Sequence, residues 1–160
     1  MDEKVYKLFR ELEIPFEKIE HPALFSCNDN EKYNLSFNGT ICKNLFIRNS
    51  NKSQYYLIVL PIEKQLNLKD LQKLLNESRL SFSSETDLEL KLKSQSGSVS
   101  LLNIINVEST DVLFVIDSSI LKHSKVCFHP NINTCTIIFN PIYIDKILNQ
   151  FDVKYMYKDL

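Results

Sequence analysis

"TICKNLFIRN", residues 40–49, alternates like a half-buried strand, with Ile41, Leu45 and Ile47 on one face and Lys43 sharing that face. A desolvated ammonium without a partner is disfavoured inside a protein. Lys43 therefore either reaches solvent along its stem or points into a cleft that needs a cation.

Strand-like and helical segments surround this stretch. On its N-terminal side, residues 2–12 place Val5, Leu8, Phe9 and Leu12 at helical spacing, and "PFEKIEH" reads as a short strand ending at His21-Pro22. Ser26, Asn28 and Asp29 are candidate caps for a short helix through about Leu35. On the other side, "YYLIVL" forms a strand over 55–60. Asn67 then opens a helix carrying Leu68, Leu71, Leu74 and Leu75. A strand is expected around 79–82, followed by a helix capped by Ser84, with Asp87 completing a capping box. "LLNIIN", "DVLFVID", "KVCFHP" and "TCTIIFN" are strand-like by content and length, and Asn140-Pro141 launches a final helix. Strands in the middle and late chain, separated by short helices, predict one α+β domain over residues 1–160 with a mixed, substantially antiparallel sheet.

The totals narrow the function. With 160 residues, 44% of them apolar, the chain can build a sizeable core, and its net charge of -1 provides no global basic field for gripping duplex DNA. Any RNA contact should be local. The charged start lacks the apolar core of a secretion signal, and "YYLIVLPI" is too short to span a bilayer, so a cytoplasmic protein with no membrane partner is expected. The four cysteines show no CxxC spacing. Cys127 and Cys135 flank "FHPNINT" with only His129 between them, so neither metal nor cofactor is expected. No GxGxxG, GxxxxGK[ST] or GxSxG motif is present. Average usage would give about eleven glycines, but only Gly39 and Gly97 occur. Gly39 follows Asn38 in a turn signal, and Gly97 lies in the small polar loop "SQSGSVS".

Three polar features fall where strands begin or end: Lys43-Asn44, Gly97-Ser98, and the His129, Asn131, Asn133, Thr134 segment. Singly, each has an ordinary explanation as a snorkelling stem, a solvated loop or a turn histidine. In order, "LEIPFEKIEHPALFS", "NGTICKNLFIRN", "SGSVSLLNIIN" and "FHPNINTCTIIFN" resemble the signature blocks of the YbaK/ProX family of aminoacyl-tRNA deacylases. Lys43 matches the family's characteristic lysine, Gly97 its glycine loop, and His129-Pro130 its Phe-His-Pro segment. Leu101-Leu102 stands where relatives often carry Pro-Phe. The resemblance spans about residues 10–150.

That resemblance implies a barrel-like mixed sheet flanked by helices, no cofactor, and hydrolysis of mischarged tRNA. Asn44 after the lysine is similar to the freestanding ProX branch, which implies removal of alanine from proline tRNA. The implied partners are the tRNA acceptor end and prolyl-tRNA synthetase. Such editing is physically needed because a missing methylene yields only about 1–3 kcal/mol of discrimination.

The implied roles follow from ester chemistry. Lys43 holds the terminal adenosine through phosphate or ribose oxygens, and Asn44, on the opposite strand face, serves the same site either through a twist or bulge of the strand or by acting through its neighbours. Gly97 and Ser98 offer backbone N–H groups to the oxyanion, and His129 orients water or ribose hydroxyls. Phe25, Ser26, Pro130 and Asn133 are the candidate substrate-binding residues, while nucleophilic roles for Cys27 and Cys42 are disfavoured. Two alternatives stay open: deacylation of Cys-, Ser- or Thr-tRNA, and a non-catalytic module that binds aminoacyl-tRNA or a synthetase.

Overall fold

The computed structural model describes residues 2–25, 29–108 and 110–160. Among these described residues are eight strands: β1 (Phe16–Glu20), β2 (Thr40–Asn49), β3 (Tyr55–Pro61), β4 (Leu80–Phe82), β5 (Val112–Asp117), β6 (Val126–Phe128), β7 (Cys135–Phe139) and β8 (Lys154–Lys158). Five α-helices accompany them: α1 (Glu3–Glu11), α2 (Asp29–Lys32), α3 (Leu68–Leu74), α4 (Glu85–Leu92) and α5 (Ile144–Leu148). The sheet runs β1-β7-β6-β2-β3-β5-β8, with β4 added to β2. Pairing is antiparallel at β1/β7, β6/β7, β2/β3 and β2/β4, and parallel at β2/β6, β3/β5 and β5/β8. This is the expected mixed α+β architecture. Near the end of the chain, β8 adds to β5 as a parallel edge strand.

Local chemistry explains the elements. The Asp2 carboxylate caps α1, Asn67 caps α3, and Ser84 with Asp87 forms a full capping box on α4. "LLNIIN" is not a strand. Residues Leu101–Asn106 form a 3-10 helix, because Ser100 and Asn103 make a second capping box that turns the chain at its start. That local hydrogen bonding overrides the β-branched content. Asn140 caps a short 3-10 turn, Pro141–Tyr143, which runs into α5.

Both faces of β2 are covered. Cys42 and Phe46 join the main core with α1, α4 and α5, while Leu45 and Ile47 face a smaller cluster with Leu71 and Leu80. The strand is therefore more enclosed than its alternation implies, and Lys43 lies on the face away from the main core. The chain bends at Asn38-Gly39 as expected, but without the positive φ of an Asn-Gly hairpin turn. An added Cβ would sit 3.0 Å from Cys127 Sγ and 3.2 Å from Ile138 Cγ2, so it is close packing against β6 and β7 that keeps this glycine.

One topological feature positions the site. Opposite β3, the other edge of β2 is shared: β6 pairs with Thr40 and Ile41, and β4 pairs with Ile47 to Asn49. Among the described residues, no strand pairs with residues 42–46 on that edge. A gap is left in the middle of the sheet.

Candidate active site

A cavity of about 420 Å³ opens at this gap, within the usual size of small-molecule sites. Cys42, Lys43, Asn44 and Phe46 line it from β2, with Leu24 and Phe25 on one side, Gly97 and Val99 on another, and His129 at the end of β6. The structure thus brings three distant segments around the lysine.

Lys43 extends along the strand and donates hydrogen bonds to the main-chain carbonyls of Ile62 (3.3 Å) and Lys64. An ammonium has three donors, so one is left for the cavity. Asn44 projects to the opposite face. Its Nδ2 donates to the Cys42 carbonyl at 3.3 Å, and its Oδ1 accepts from the Leu101 N–H at 2.9 Å. The side chain consequently ties the lysine strand to the segment that follows the glycine loop.

Gly97 adopts φ 85°, and its missing Cβ would lie 3.3 Å from the Leu24 carbonyl and 3.5 Å from Phe25. Its close approach to the 24–25 segment is thereby explained. Ser98 is placed differently from the oxyanion expectation: it is not part of the cavity wall, and its N–H donates to the Gln95 carbonyl at 3.0 Å.

His129 Nδ1 lies 2.9 Å from the Cys135 carbonyl and must be the donor there, which leaves Nε2 as the acceptor nitrogen of the neutral ring. Burial lowers the pKa of His129 below its ordinary value. The Cys135 hydrogen bond opposes that shift, and the neighbouring His21 adds to it. The two imidazole centroids are 5.9 Å apart. His21 is held in turn by the Pro22 carbonyl on Nδ1 and the Thr136 hydroxyl on Nε2, each at 2.9 Å.

A buried polar network holds the loops together. Asn103 Oδ1 accepts from the Ser100 N–H at 2.7 Å, and its Nδ2 donates to Asn131 Oδ1 at 2.9 Å. Asn131, at φ 60°, donates to Asp2 Oδ2 and to the Leu102 carbonyl. The glycine loop and the His129 loop are therefore set relative to each other by Asn103 and Asn131.

Of the candidate substrate-binding residues, Phe25 lines the cavity and is 72% exposed. Ser26 lies outside the described residues, as does Cys27. Pro130 is buried away from the cavity wall, and the Asn133 carbonyl accepts from the Leu24 N–H at 2.9 Å, so Asn133 supports the segment that carries Phe25. Burial drives the Cys127 thiol up to about 12 and raises Cys42 further, which keeps both as thiols rather than nucleophilic thiolates. Among the described residues, no group of three or more His, Cys, Asp or Glu side chains could hold a metal.

Sequence reasoning missed Phe82 and Thr136 in the wall. No pattern in the chain marks Phe82, which looks like an ordinary strand aromatic. Thr136 breaks an apolar run on β7, a signal of the same kind as Lys43 on β2.

Similarity to known proteins identifies the family. Residues 21–147 match the model of the aminoacyl-tRNA editing domain. The chain is 34% identical over 138 residues to the "Prolyl-tRNA editing protein ProX" of Acetoanaerobium sticklandii, covering 86% of this chain and 84% of that one. It is 35% identical to the mouse "Prolyl-tRNA synthetase associated domain-containing protein 1" over 81% of this chain and 79% of that one. Its fold superposes with TM-score 0.72 and 14% identity on a crystal structure provisionally described as a trans-editing enzyme for prolyl tRNA synthetase, over 100% of this chain and 98% of the other. The chain belongs to the aminoacyl-tRNA editing domain family and is an aminoacyl-tRNA deacylase.

Proposed function

We propose that this deacylase acts in trans to remove alanine from mischarged Ala-tRNA(Pro), and that prolyl-tRNA synthetase is its functional partner. The observation that carries this reading is the Lys43-Asn44 pair at the cavity, together with the resemblance of that pair to the ProX branch and the identity shared with a prolyl-tRNA editing protein. Apolar groups from Phe46, Leu88 and Val99 line the same cavity and suit a methyl side chain.

Hydrolysis needs no covalent nucleophile. Water adds to the ester carbonyl carbon, the tetrahedral oxyanion collapses, and the bond to the ribose oxygen breaks as that oxygen takes a proton. In this reading the remaining Lys43 donor holds the anionic terminal nucleotide in place, a positioning contribution. Gly97 borders the reacting carbonyl, and Nε2 of His129 accepts from the attacking water or a ribose hydroxyl.

The deciding experiment offers purified protein a panel of Ala-, Cys-, Ser-, Thr- and Pro-tRNA(Pro). Release of alanine with Pro-tRNA(Pro) left intact supports the reading. Preference for cysteine, serine or threonine replaces alanine, and tight binding without turnover of any member defeats it.

A further inference from the structure

The gap in the sheet exposes more than side chains. In an antiparallel pair, alternate residues exchange both of their main-chain hydrogen bonds with the partner strand, and the intervening residues direct theirs to the other edge. The β2/β3 register fixes which is which. Ile62 N–H donates to the Ile41 carbonyl, and Asn49 N–H to the Gln54 carbonyl, so the odd-numbered residues of β2 bond to β3. The even-numbered residues therefore face the opposite edge, where the gap lies.

Each even residue can be followed. Cys42 presents its carbonyl to the Asn44 side chain, and the Phe46 carbonyl accepts from the Ser83 N–H at 3.0 Å. Asn44 lies between them, beyond the reach of the β6 and β4 ladders. Its main-chain N–H and C=O point into the cavity edge, while its side chain is committed to Cys42 and Leu101.

We infer that the aminoacyl group of the substrate pairs with the main chain of Asn44 as a one-residue strand. The α-ammonium donates to the Asn44 carbonyl, and the Asn44 N–H donates to the ester carbonyl oxygen and to the oxyanion it becomes. This is strand addition reduced to a single residue. It supplies the oxyanion donor that Ser98 does not, and it gives the Asn44 side chain a positioning role in holding the edge. A cross-strand partner places its side chain on the same face as that of Asn44, toward Phe46 and Val99 in the cavity wall. Recognition of the backbone part of the amino acid is thereby separated from the selection of its side chain. The inference rests on the deacylase reading but not on alanine being the amino acid removed.

The test uses 3′-alanylamino-3′-deoxyadenosine, whose amide replaces the ester, titrated into ¹⁵N-labelled protein. The Asn44 amide is expected to show the largest downfield proton shift. The propionylamino analogue, which lacks the ammonium, should bind about 10–100-fold more weakly, the range for a lost hydrogen bond to a charged group. Shifts confined to residues 96–99 and His129, no shift at millimolar analogue, or equal affinity for the two analogues would each overturn the inference. If the tRNA panel selects another small amino acid, the corresponding aminonucleoside is used, and the Asn44 shift still decides the inference.

Discussion

The Lys43 ammonium is hydrogen-bonded to the main-chain carbonyl of Lys64, and the Lys64 ammonium in turn lies 2.7 Å from the buried carboxylate of Asp117. One lysine is aimed by the backbone of another that is itself anchored. This arrangement accounts for a cation in an apolar register: the stem shares a strand face with Ile41 and Leu45, and two carbonyls replace part of the lost hydration. Lys43→Ala and Lys43→Met should leave the circular dichroism spectrum unchanged and reduce deacylation by about a hundredfold or more, the scale of a lost electrostatic or positioning contact. Lys43→Arg should not restore the rate, because a planar fork cannot copy a point charge between two carbonyls. A wild-type rate in Lys43→Met would remove the lysine from the chemistry.

The anchor gives stability a pH dependence. Burial opposes ionisation of Asp117, but hydrogen bonds from Lys64, from the Ser119 hydroxyl and from the N–H groups of Leu160 and Ser119 outweigh it, and the carboxyl lies below its ordinary value. A folded pKa below the unfolded value of about 3.9 makes the stabilisation complete above that value and lost as pH falls through the folded one. Thermal melts of the wild type should therefore fall steeply below about pH 4, and Asp117→Asn should melt lower at pH 7 with a flatter acid limb. Lys64→Met, which leaves the buried carboxylate without its cation, should cost about 3–5 kcal/mol and slow deacylation about tenfold through the displaced Lys43. Lys64→Arg should recover most of the stability.

His129 governs a separate pH effect. Burial keeps its ring neutral to lower pH than usual, and only the neutral ring offers Nε2 as an acceptor. After subtraction of spontaneous ester hydrolysis, kcat/KM should hold level down to about pH 6.5, the ordinary histidine value, and decline only below it. His129→Asn should be slower and should lose that limb. A limb that persists unchanged in the variant would assign it to another group.

The strands and capped helices were legible because their signals are local: alternation on β2, an Asn cap at 67, a Ser-Asp box at 84–87. Lys43 was legible for a related reason, since a charge in an apolar register is costly and therefore informative. "LLNIIN" misled because the deciding partner, Asn103 on the Ser100 N–H, is a side-chain contact that its apolar content hides. The gap beside Asn44 could not be read at all. It follows from β6 and β4 pairing with different ends of one strand, β6 from 86 positions away along the chain and β4 from 31 to 35. Sequence order likewise does not show that the Ser98 N–H is committed to Gln95.

The two glycines should respond differently to an added methyl. Gly97 sits at φ 85°, a conformation that costs an L-residue about 1–2 kcal/mol, and its new Cβ would also press on the Leu24 carbonyl. Neither obstacle is a movable side-chain tip, so Gly97→Ala should lose stability and slow deacylation whether or not Phe25 is trimmed to Ala. Gly39 has no such backbone constraint, and its nearest obstacle is Cys127 Sγ at 3.0 Å. Gly39→Ala alone should be destabilising by overpacking, about 1–3 kcal/mol, and Cys127→Ala should recover part of that loss in the double variant. Melting temperatures of the four single variants and the two doubles check this directly. Non-additivity is expected at the Gly39–Cys127 pair and simple addition at Gly97–Phe25, and rescue of Gly97→Ala by Phe25→Ala would show that side-chain contact, rather than the dihedral, sets the glycine there.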